Sequence, residues 1–561
     1  MYTPELTPVA GSLMWSAMVA TLPLLTIFVT LGWLRWKAHR AGLAALAVAI
    51  LLAILVWGMP VKLTLLAATQ GAAFGLFPIM WIVICAIWLY EITVRSGRFN
   101  DLRSVINMIS DDPRIQAIII AFCFGGLLEA LAGFGAPGAI TGVMLMAVGF
   151  SAMRAATVVL LANTAPVAFG AIAIPIITAG ELTGIPYTEI GAVVGRQTPL
   201  IALFVPLFLV LLADGRRGLR QTWPIALVIG ATFAVAQFIS SNFISVELTD
   251  IVASLAGLAA AVLFLRVWQP VGGADARDRM KIEHQEEGAQ APGEELLGDG
   301  GIATVTETTT SRITTSRILM ALFPYLLVIV VFTLAKLWPP MRDFLTGRDI
   351  RIPWPGLDGN IATVAGEVSG ATRYNFTWLS SPGTLLLICG IIVAFVYRVP
   401  ARDAWDEFSK NLVKMRYALL TVAAVLALAY VMNLSGQTIT IGFWIAGTGA
   451  AFAYLSPILG WLGTAVTGSD TSANALFATL QQTAAEQAGL DPTLMVAANT
   501  SGGVVGKMIS PQNLTIAATA VGLVGRESDI FRKVILWSLG MLVVMCLLVG
   551  LQSNLLAWML P

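Results

Sequence analysis

Charge is scarce in this 561-residue sequence: Asp, Glu, Lys and Arg make up 12% of it, and 33 basic against 32 acidic residues leave a net charge of +1. That balance supplies neither the field that attracts nucleic acid nor a basic face for docking on anionic lipid, so nucleic-acid partners are excluded. Histidine is nearly absent. His39 and His284 both fall in polar segments, so a catalytic triad, an HExxH zinc site or a haem ligand has almost nothing to be built from. The four cysteines, Cys85, Cys123, Cys389 and Cys546, lie in apolar runs without a CxxC pair and read as small buried fillers. No metal site and no cofactor is expected, and proton chemistry at membrane depth falls to carboxylates or lysine.

What is present is hydrophobic: 57% of the residues, with a mean hydropathy of +0.82. So few charges cannot cover a soluble surface of this size, and most of the outside must face lipid. The chain reads as an all-α polytopic integral membrane protein. Its first apolar run, 12–34, has no basic segment before it and is followed by Arg35, Lys37, His39 and Arg40, the pattern of a first span with its N-terminus outside. Further spans are expected at 41–58, 63–90, 199–213, 222–240, 249–265, 318–337, 384–397, 417–432, 439–455, 504–521 and 530–551. A basic stretch, 398–416, is placed along the inner surface. Two apolar runs are interrupted, 115–150 by Gly133-Phe134-Gly135 and 155–179 by Asn163-Thr164-Ala165-Pro166, which suggests re-entrant hairpins or broken helices. About 12–14 membrane segments result. Composition divides them into an N-terminal half, 1–270, a polar cytoplasmic linker, 271–316, expected to be largely disordered, and a C-terminal half, 317–561, that includes an extracytoplasmic loop, 339–380.

An internal repeat links the halves. Ala162-Asn163-Thr164, Gly170 and Pro175 recur as Ala498-Asn499-Thr500, Gly506 and Pro511, at a constant offset of 336 residues. A weaker match sets Gly133 and its neighbours against Gly468. Arg154 precedes the first Asn-Thr pair, whereas Arg526, Arg532 and Lys533 follow the second, so the charges favour opposite directions and an inverted repeat. The parity of passes closes if 458–490 crosses once.

Irregular backbone at membrane depth is tolerated only inside protein or beside a polar cavity. Four breaks therefore imply a built cavity, and each offers a residue suited to start a half-helix: Pro137, Thr164, Ser469 or Asp470, and Thr500. Converging helix N-termini form a site for a small anion such as a carboxylate. Close helix packing explains any one Gly, Asn or Thr. The duplicated pairs at fixed spacing, together with Thr467-Gly-Ser-Asp-Thr-Ser-Ala-Asn474, point instead to a ligand site built from Asn163, Thr164, Ser469, Thr471, Asn474, Asn499 and Thr500. Three ionisable residues stand among them: Glu129, Asp470 and Lys507. Lys507 can pair with a substrate carboxylate, with Asp470 or with Glu129, and a carboxyl in an apolar site can hold a proton at neutral pH. Arg196, at a span end with Glu189, reads as interfacial and as a candidate gate.

At these residues the sequence closely resembles the bacterial lactate permease family, the L-lactate/glycolate proton symporters. The resemblance is carried by Leu128-Glu-Ala-Leu-Ala-Gly-Phe-Gly-Ala-Pro137, Asn163-Thr-Ala-Pro-Val-Ala-Phe-Gly170, Gly460-Trp-Leu-Gly463, Thr467-Gly-Ser-Asp-Thr-Ser472, Ala497-Ala-Asn-Thr-Ser-Gly-Gly503 and Gly506-Lys-Met-Ile-Ser-Pro-Gln512, and it spans nearly the whole chain. It implies uptake of L-lactate and related 2-hydroxymonocarboxylates, D-lactate and glycolate included, with protons across the bacterial cytoplasmic membrane. It also implies kinship with sodium-coupled dicarboxylate carriers, hence an inverted-repeat elevator. On that reading the Asn, Thr and Ser residues bind the substrate's carboxylate and hydroxyl, Lys507 supplies fixed positive charge, and Glu129 or Asp470 takes the co-transported proton. The rivals are a sodium-coupled carrier of the same fold, a passive anion channel and an intramembrane hydrolase.

Overall fold

The computed structural model describes residues 1–34, 36–107, 109–132, 136–286, 315–364 and 366–561. Across them the apolar runs are helical, because a backbone in lipid must satisfy its own N–H and C=O groups. Among the described residues nine helices are long and apolar enough to cross a membrane, or ten with the bent pair Ala152–Ala162 and Val167–Thr183 taken as one span, and three shorter apolar helices, Pro137–Val148, Thr249–Phe264 and Pro382–Val396, bring the set within the expected 12–14 segments.

Several boundaries differ from the sequence expectation. The run 63–90 is not one smooth span: Phe77 leaves helical geometry (φ −139°, ψ 124°) ahead of Pro78, which has no N–H to continue the ladder. The Phe77 carbonyl freed by this break accepts a 2.6 Å hydrogen bond from Tyr374 Oη. The run 439–455 is two pieces, Gln437–Ala446 and the start of Phe452–Thr467. The basic stretch before 417 is no separate surface segment, since it belongs to one continuous helix, Ala401–Ser435.

Both polar inserts hold secondary structure among the described residues. Residues 339–380 hold a short helix, Pro339–Thr346, and an antiparallel pair, β1 (Ile350–Pro353) and β2 (Arg373–Phe376), with Ile350 opposite Phe376. In the linker, expected to be disordered, Gly273–Glu286 is helical, whereas 287–314 lie outside the described residues. Arg279 holds this helix to Asp214 at 2.8 Å, and Asp214 also receives the buried Arg114 at 3.3 Å.

Ten helices position the site: α1 (Gly125–Ala132), α2 (Ala136–Val148), α3 (Ala152–Ala162), α4 (Gly170–Thr183), α5 (Thr198–Ile239), α6 (Thr249–Phe264), α7 (Phe452–Thr467), α8 (Asp470–Ala488), α9 (Pro492–Gly506) and α10 (Pro511–Ala520). Gly125 of α1 packs on Thr141 of α2, so these are the arms of a hairpin. The expected break at Gly133-Phe134-Gly135 lies outside the described residues. The chain bends by 64° between α3 and the segment beginning at Val167, and Ala171, Ile172 and Ala173 adopt left-handed backbone angles before the helix resumes at Ile174. Helices α7 and α8 form a second hairpin, turning at Gly468 (φ +77°), where any other residue would be strained. The segment 458–490 thus turns back and does not cross once.

Helix directions follow from the contacts. Helix α8 runs alongside α4 in the same sense, Asn474 bonding to the Pro175 carbonyl at 3.2 Å and Thr479 to that of Leu182 at 3.4 Å. It runs against α9, with Asp470 beside Gly503 and Asn474 bonded to Asn499. The helix leaving the first Asn-Thr segment is therefore opposed to the helix that carries the second. Helices α7 and α9 approach backbone to backbone: a Cβ at Gly502 would lie 2.0 Å from the Pro457 carbonyl oxygen, and one at Gly460 only 1.8 Å from that of Asn499.

Candidate functional site

The centre of the site is a buried ion pair. Lys507 Nζ lies 2.6 Å from Glu129 Oε1, joining α1 to the break between α9 and α10, with both side chains shielded from solvent. Of the two protein carboxylates open to Lys507 on sequence grounds, the structure pairs it with Glu129. An isolated charge at this depth is costly, and a hydrogen-bonded pair offsets part of the desolvation. Glu129 Oε2 and Asp470 Oδ2 have no hydrogen-bond partner, while Asp470 Oδ1 accepts from Thr464 Oγ1 at 3.3 Å. Asp470 fits there because Gly503 has no side chain: a Cβ would lie 1.9 Å from Oδ1.

Each repeat contributes its break to this centre. Gly170 packs directly on Glu129, where a Cβ would be 3.0 Å from both Cγ and Oε1. In the second repeat Gly506 precedes Lys507, and α10 begins at Pro511 with Ser510 as its N-cap. The duplicated Gly and Pro thus bracket a break in both halves. Asn513 ties that break to the second hairpin, its Nδ2 lying 3.2 Å from the Lys507 carbonyl, 3.3 Å from that of Gly468 and 2.7 Å from Ser510 Oγ.

The expected half-helix starts need correction at two positions. Thr164 begins no helix, because a turn and a single 3-10 turn (Val167–Phe169) intervene before α4. Thr500 sits inside α9, which continues unbroken to Gly506, since Gly502 and Gly503 serve close packing and leave the helix intact. Ser469 is an N-cap as expected, its hydroxyl accepting from the Ser472 N–H at 3.4 Å at the head of the helix that carries Asp470 and Thr471.

The polar residues divide by what they touch. Asn499 Nδ2 and Thr500 Oγ1 both donate to Asn474 Oδ1, at 2.9 and 3.0 Å, and Asn499 Oδ1 accepts from Gln481 Nε2 at 3.0 Å. These residues form a closed network joining α8 to α9. Asn163 Oδ1, by contrast, is buried with no partner, and Thr164 Oγ1 reaches only the Leu160 carbonyl of its own helix at 3.4 Å. Arg196 is not brought to any of them: it bonds Asn242 Oδ1 at 3.0 Å and the Met559 carbonyl at 2.7 Å, tethering the C-terminus.

Sequence reasoning missed Asp250 at the head of α6 and the amides of Gln197, Gln237 and Gln481. Ser501 donates to Gln197 at 2.6 Å, Gln237 bonds the Ala165 carbonyl at 3.3 Å inside the first break, and Asp250 is fully buried. The available signal was a lone amide in an apolar run, as with Gln237 in the span expected at 222–240.

Comparison with known proteins gives a consistent picture. A family model described as L-lactate permease matches residues 16–556. An L-lactate permease of Bacillus subtilis (strain 168) is 40% identical over 579 residues, with 100% of both chains covered. The glycolate permease GlcA of Escherichia coli (strain K12) is 42% identical over 554 residues, covering 96% of this chain and 95% of its own. The L-lactate permease of the same strain is 42% identical over 562 residues, covering 98% of each.

Proposed function

The chain belongs to the L-lactate permease family, and from that premise we propose that it imports L-lactate and related 2-hydroxymonocarboxylates, glycolate and D-lactate among them, together with protons. It is a multi-pass transporter of the bacterial cytoplasmic membrane and not an enzyme. The observation that carries the coupling is the Lys507–Glu129 pair. In the empty carrier the two charges cancel. A substrate carboxylate needs Lys507, and a proton on Glu129 releases it, so the loaded site, with neutral Glu129 and lactate on Lys507, is again uncharged. Either ligand alone leaves a net charge buried, which opposes crossing and makes each ligand depend on the other.

Within this scheme Asn163, Thr164, Ser469 and Thr471 face the substrate's carboxylate and hydroxyl, while Asn474, Asn499 and Thr500 hold the wall from which Lys507 projects. Glu129, in contact with Lys507, is better placed than Asp470 to take the proton. The charges that flank the two Asn-Thr pairs favour two inverted repeats, and the paired hairpins favour an elevator in which they travel with the site. We place the linker 271–316 on the cytoplasmic face and the insert 339–380 outside, and leave to Arg196 the holding of a span end.

Uptake of labelled L-lactate into sodium-free proteoliposomes, with an inward proton gradient and an uncoupler control, tests the reading. Accumulation above equilibrium that the uncoupler abolishes is expected; accumulation only after sodium is added overturns it. Glu129→Gln should keep lactate–lactate exchange and lose uphill uptake, while Asp470→Asn should lower both alike.

A further inference from the structure

Asp250 stands outside the mechanism just described, yet it is among the most deeply buried carboxylates of the molecule. It has no accessible surface, and neither oxygen has a hydrogen-bond partner. Its position relative to Glu129 follows from helix register. Gly126 of α1 packs on Ser254 of α6, and Cys123, just ahead of α1, packs on Gly257, so the two segments run antiparallel. One turn further along, Asp250 falls opposite residue 130, beside Glu129. The charges of both Glu129 and Lys507 act on it, as does the Gln237 amide. Asp470 feels the same charge, so three acidic groups share one lysine, and Lys507 already neutralises Glu129.

Three residues before Asp250, in the turn that precedes α6, Glu247 lines a cavity of about 340 Å³ together with Tyr187, Ser245, Arg342 and Ser380. Glu247 is buried and held there, accepting from Tyr187 Oη at 2.9 Å and Ser245 Oγ at 2.7 Å. Three carboxyl groups, Glu247, Asp250 and Glu129, therefore lead in sequence from a cavity to Lys507. Of the other ionisable groups on the elements packed on α6, Asp214 of α5 takes Arg114 and Arg279, Arg217 pairs with Asp275, Arg216 and Arg220 are exposed, Glu181 of α4 interacts with Asn375, Arg317 of the helix Thr315–Leu337 pairs with Asp101, and Tyr325 and Cys123 are buried.

We propose that Asp250 is the proton relay of this transporter, receiving a proton that enters from the cavity by way of Glu247 and passing it to Glu129. In the transfer the O–H bond of Asp250 breaks and one forms on Glu129, Lys507 remains an ammonium and is released to the substrate, and hydronium from the cavity reprotonates Asp250 through Glu247. A protonated Asp250 also offers a donor to Gln237 Oε1, a buried acceptor without a partner.

The inference rests on proton symport, so wild type, Glu129→Gln, Asp250→Asn, Asp250→Glu and Glu247→Gln are compared in the same sodium-free proteoliposomes, for uphill uptake and for lactate–lactate exchange. Exchange needs no net proton movement. Asp250→Asn should lose proton-driven accumulation by about tenfold or more and keep exchange, with Asp250→Glu recovering part of the accumulation. Full accumulation in Asp250→Asn overturns the relay while leaving the Glu129 reading intact; so does equal loss of both activities in a variant that melts like wild type. If Asp250→Asn does not fold, Glu247→Gln decides: a slowed initial rate of proton-driven uptake with unchanged exchange supports the relay, and an unchanged rate overturns it. A wild type that accumulates lactate only with sodium removes both readings together.

Discussion

Asn163-Thr164 and Asn499-Thr500 are the same two residues at the same distance from a glycine and a proline, and they fold differently. The second pair lies within a continuous helix and closes a hydrogen-bond network with Asn474 and Gln481. The first ends a helix, is followed by left-handed backbone at Ala171–Ala173, and leaves Asn163 Oδ1 buried without a partner. Duplication has preserved residue type and spacing but not local conformation. A pair whose hydrogen bonds are used up internally is a frame; one with an unspent acceptor beside a break can bind something, since orphaned polar atoms persist at a cost. The two repeats are thus read as unequal, the second rigid and the first adaptable, with the Lys507–Glu129 pair joining them.

The largest test is to remove that join. Lys507→Met leaves Glu129 as an unpaired buried charge, expected to cost about 3–5 kcal/mol and to abolish uptake. Adding Glu129→Gln should restore the melting temperature in detergent but not transport. A single variant that melts like wild type would mean the pair does not hold the repeats together, and the comparison would lose its centre.

Next comes the direct contrast. Asn499→Ala removes one of the two donors to Asn474 Oδ1 and one of the two acceptors of Gln481 Nε2, leaving Thr500 Oγ1 and the Ser456 carbonyl in place, for an expected cost of about 1–2 kcal/mol. Asn163→Ala removes an atom with no partner and should change stability by less than about 0.5 kcal/mol, while raising the lactate concentration for half-maximal uptake. Thermal unfolding and uptake measured on both variants separate frame from ligand site; equal melting temperatures would erase the difference.

How much of this was legible beforehand depends on what each residue has to reveal. The hairpin turn at Gly468-Ser469 could be read because a glycine and a capping hydroxyl interrupt an apolar run. Lys507 and Glu129 stood out as charges at depth, but three pairings fitted the sequence equally, and only helix packing selects one. Gly502-Gly503 was misleading: paired glycines look like a helix break, yet here they let the Pro457 carbonyl and the Asp470 carboxylate approach an intact helix. Asp250 was illegible for the opposite reason, since a carboxylate at the head of a span is what an interfacial helix start looks like. Its depth comes from the antiparallel packing of α1 and α6, which no local pattern encodes. The break at Phe77-Pro78 had a local signal in its proline, but the carbonyl it frees is satisfied from almost 300 residues away in sequence.

The smallest test uses the duplicated glycine, where the two repeats are most nearly equivalent. At Gly506 an added Cβ would sit 2.4 Å from the Trp461 carbonyl oxygen, a backbone atom between packed helices that cannot yield alone, and Gly506→Ala should cost about 1–3 kcal/mol. At Gly170 the added atom meets the Glu129 side chain at 3.0 Å, which can give by a few tenths of an ångström. Gly170→Ala should therefore cost less than about 1 kcal/mol. Its effect should appear in coupling, because the atom that yields also contacts Lys507: the pH dependence of uptake should shift while lactate–lactate exchange stays unchanged. Melting curves and uptake–pH profiles on the two alanine variants check both halves of the expectation. If Gly170→Ala destabilised as much as Gly506→Ala and left the pH profile untouched, the first repeat would be as rigid as the second, and adaptability would have to be sought elsewhere than at the break beside Glu129.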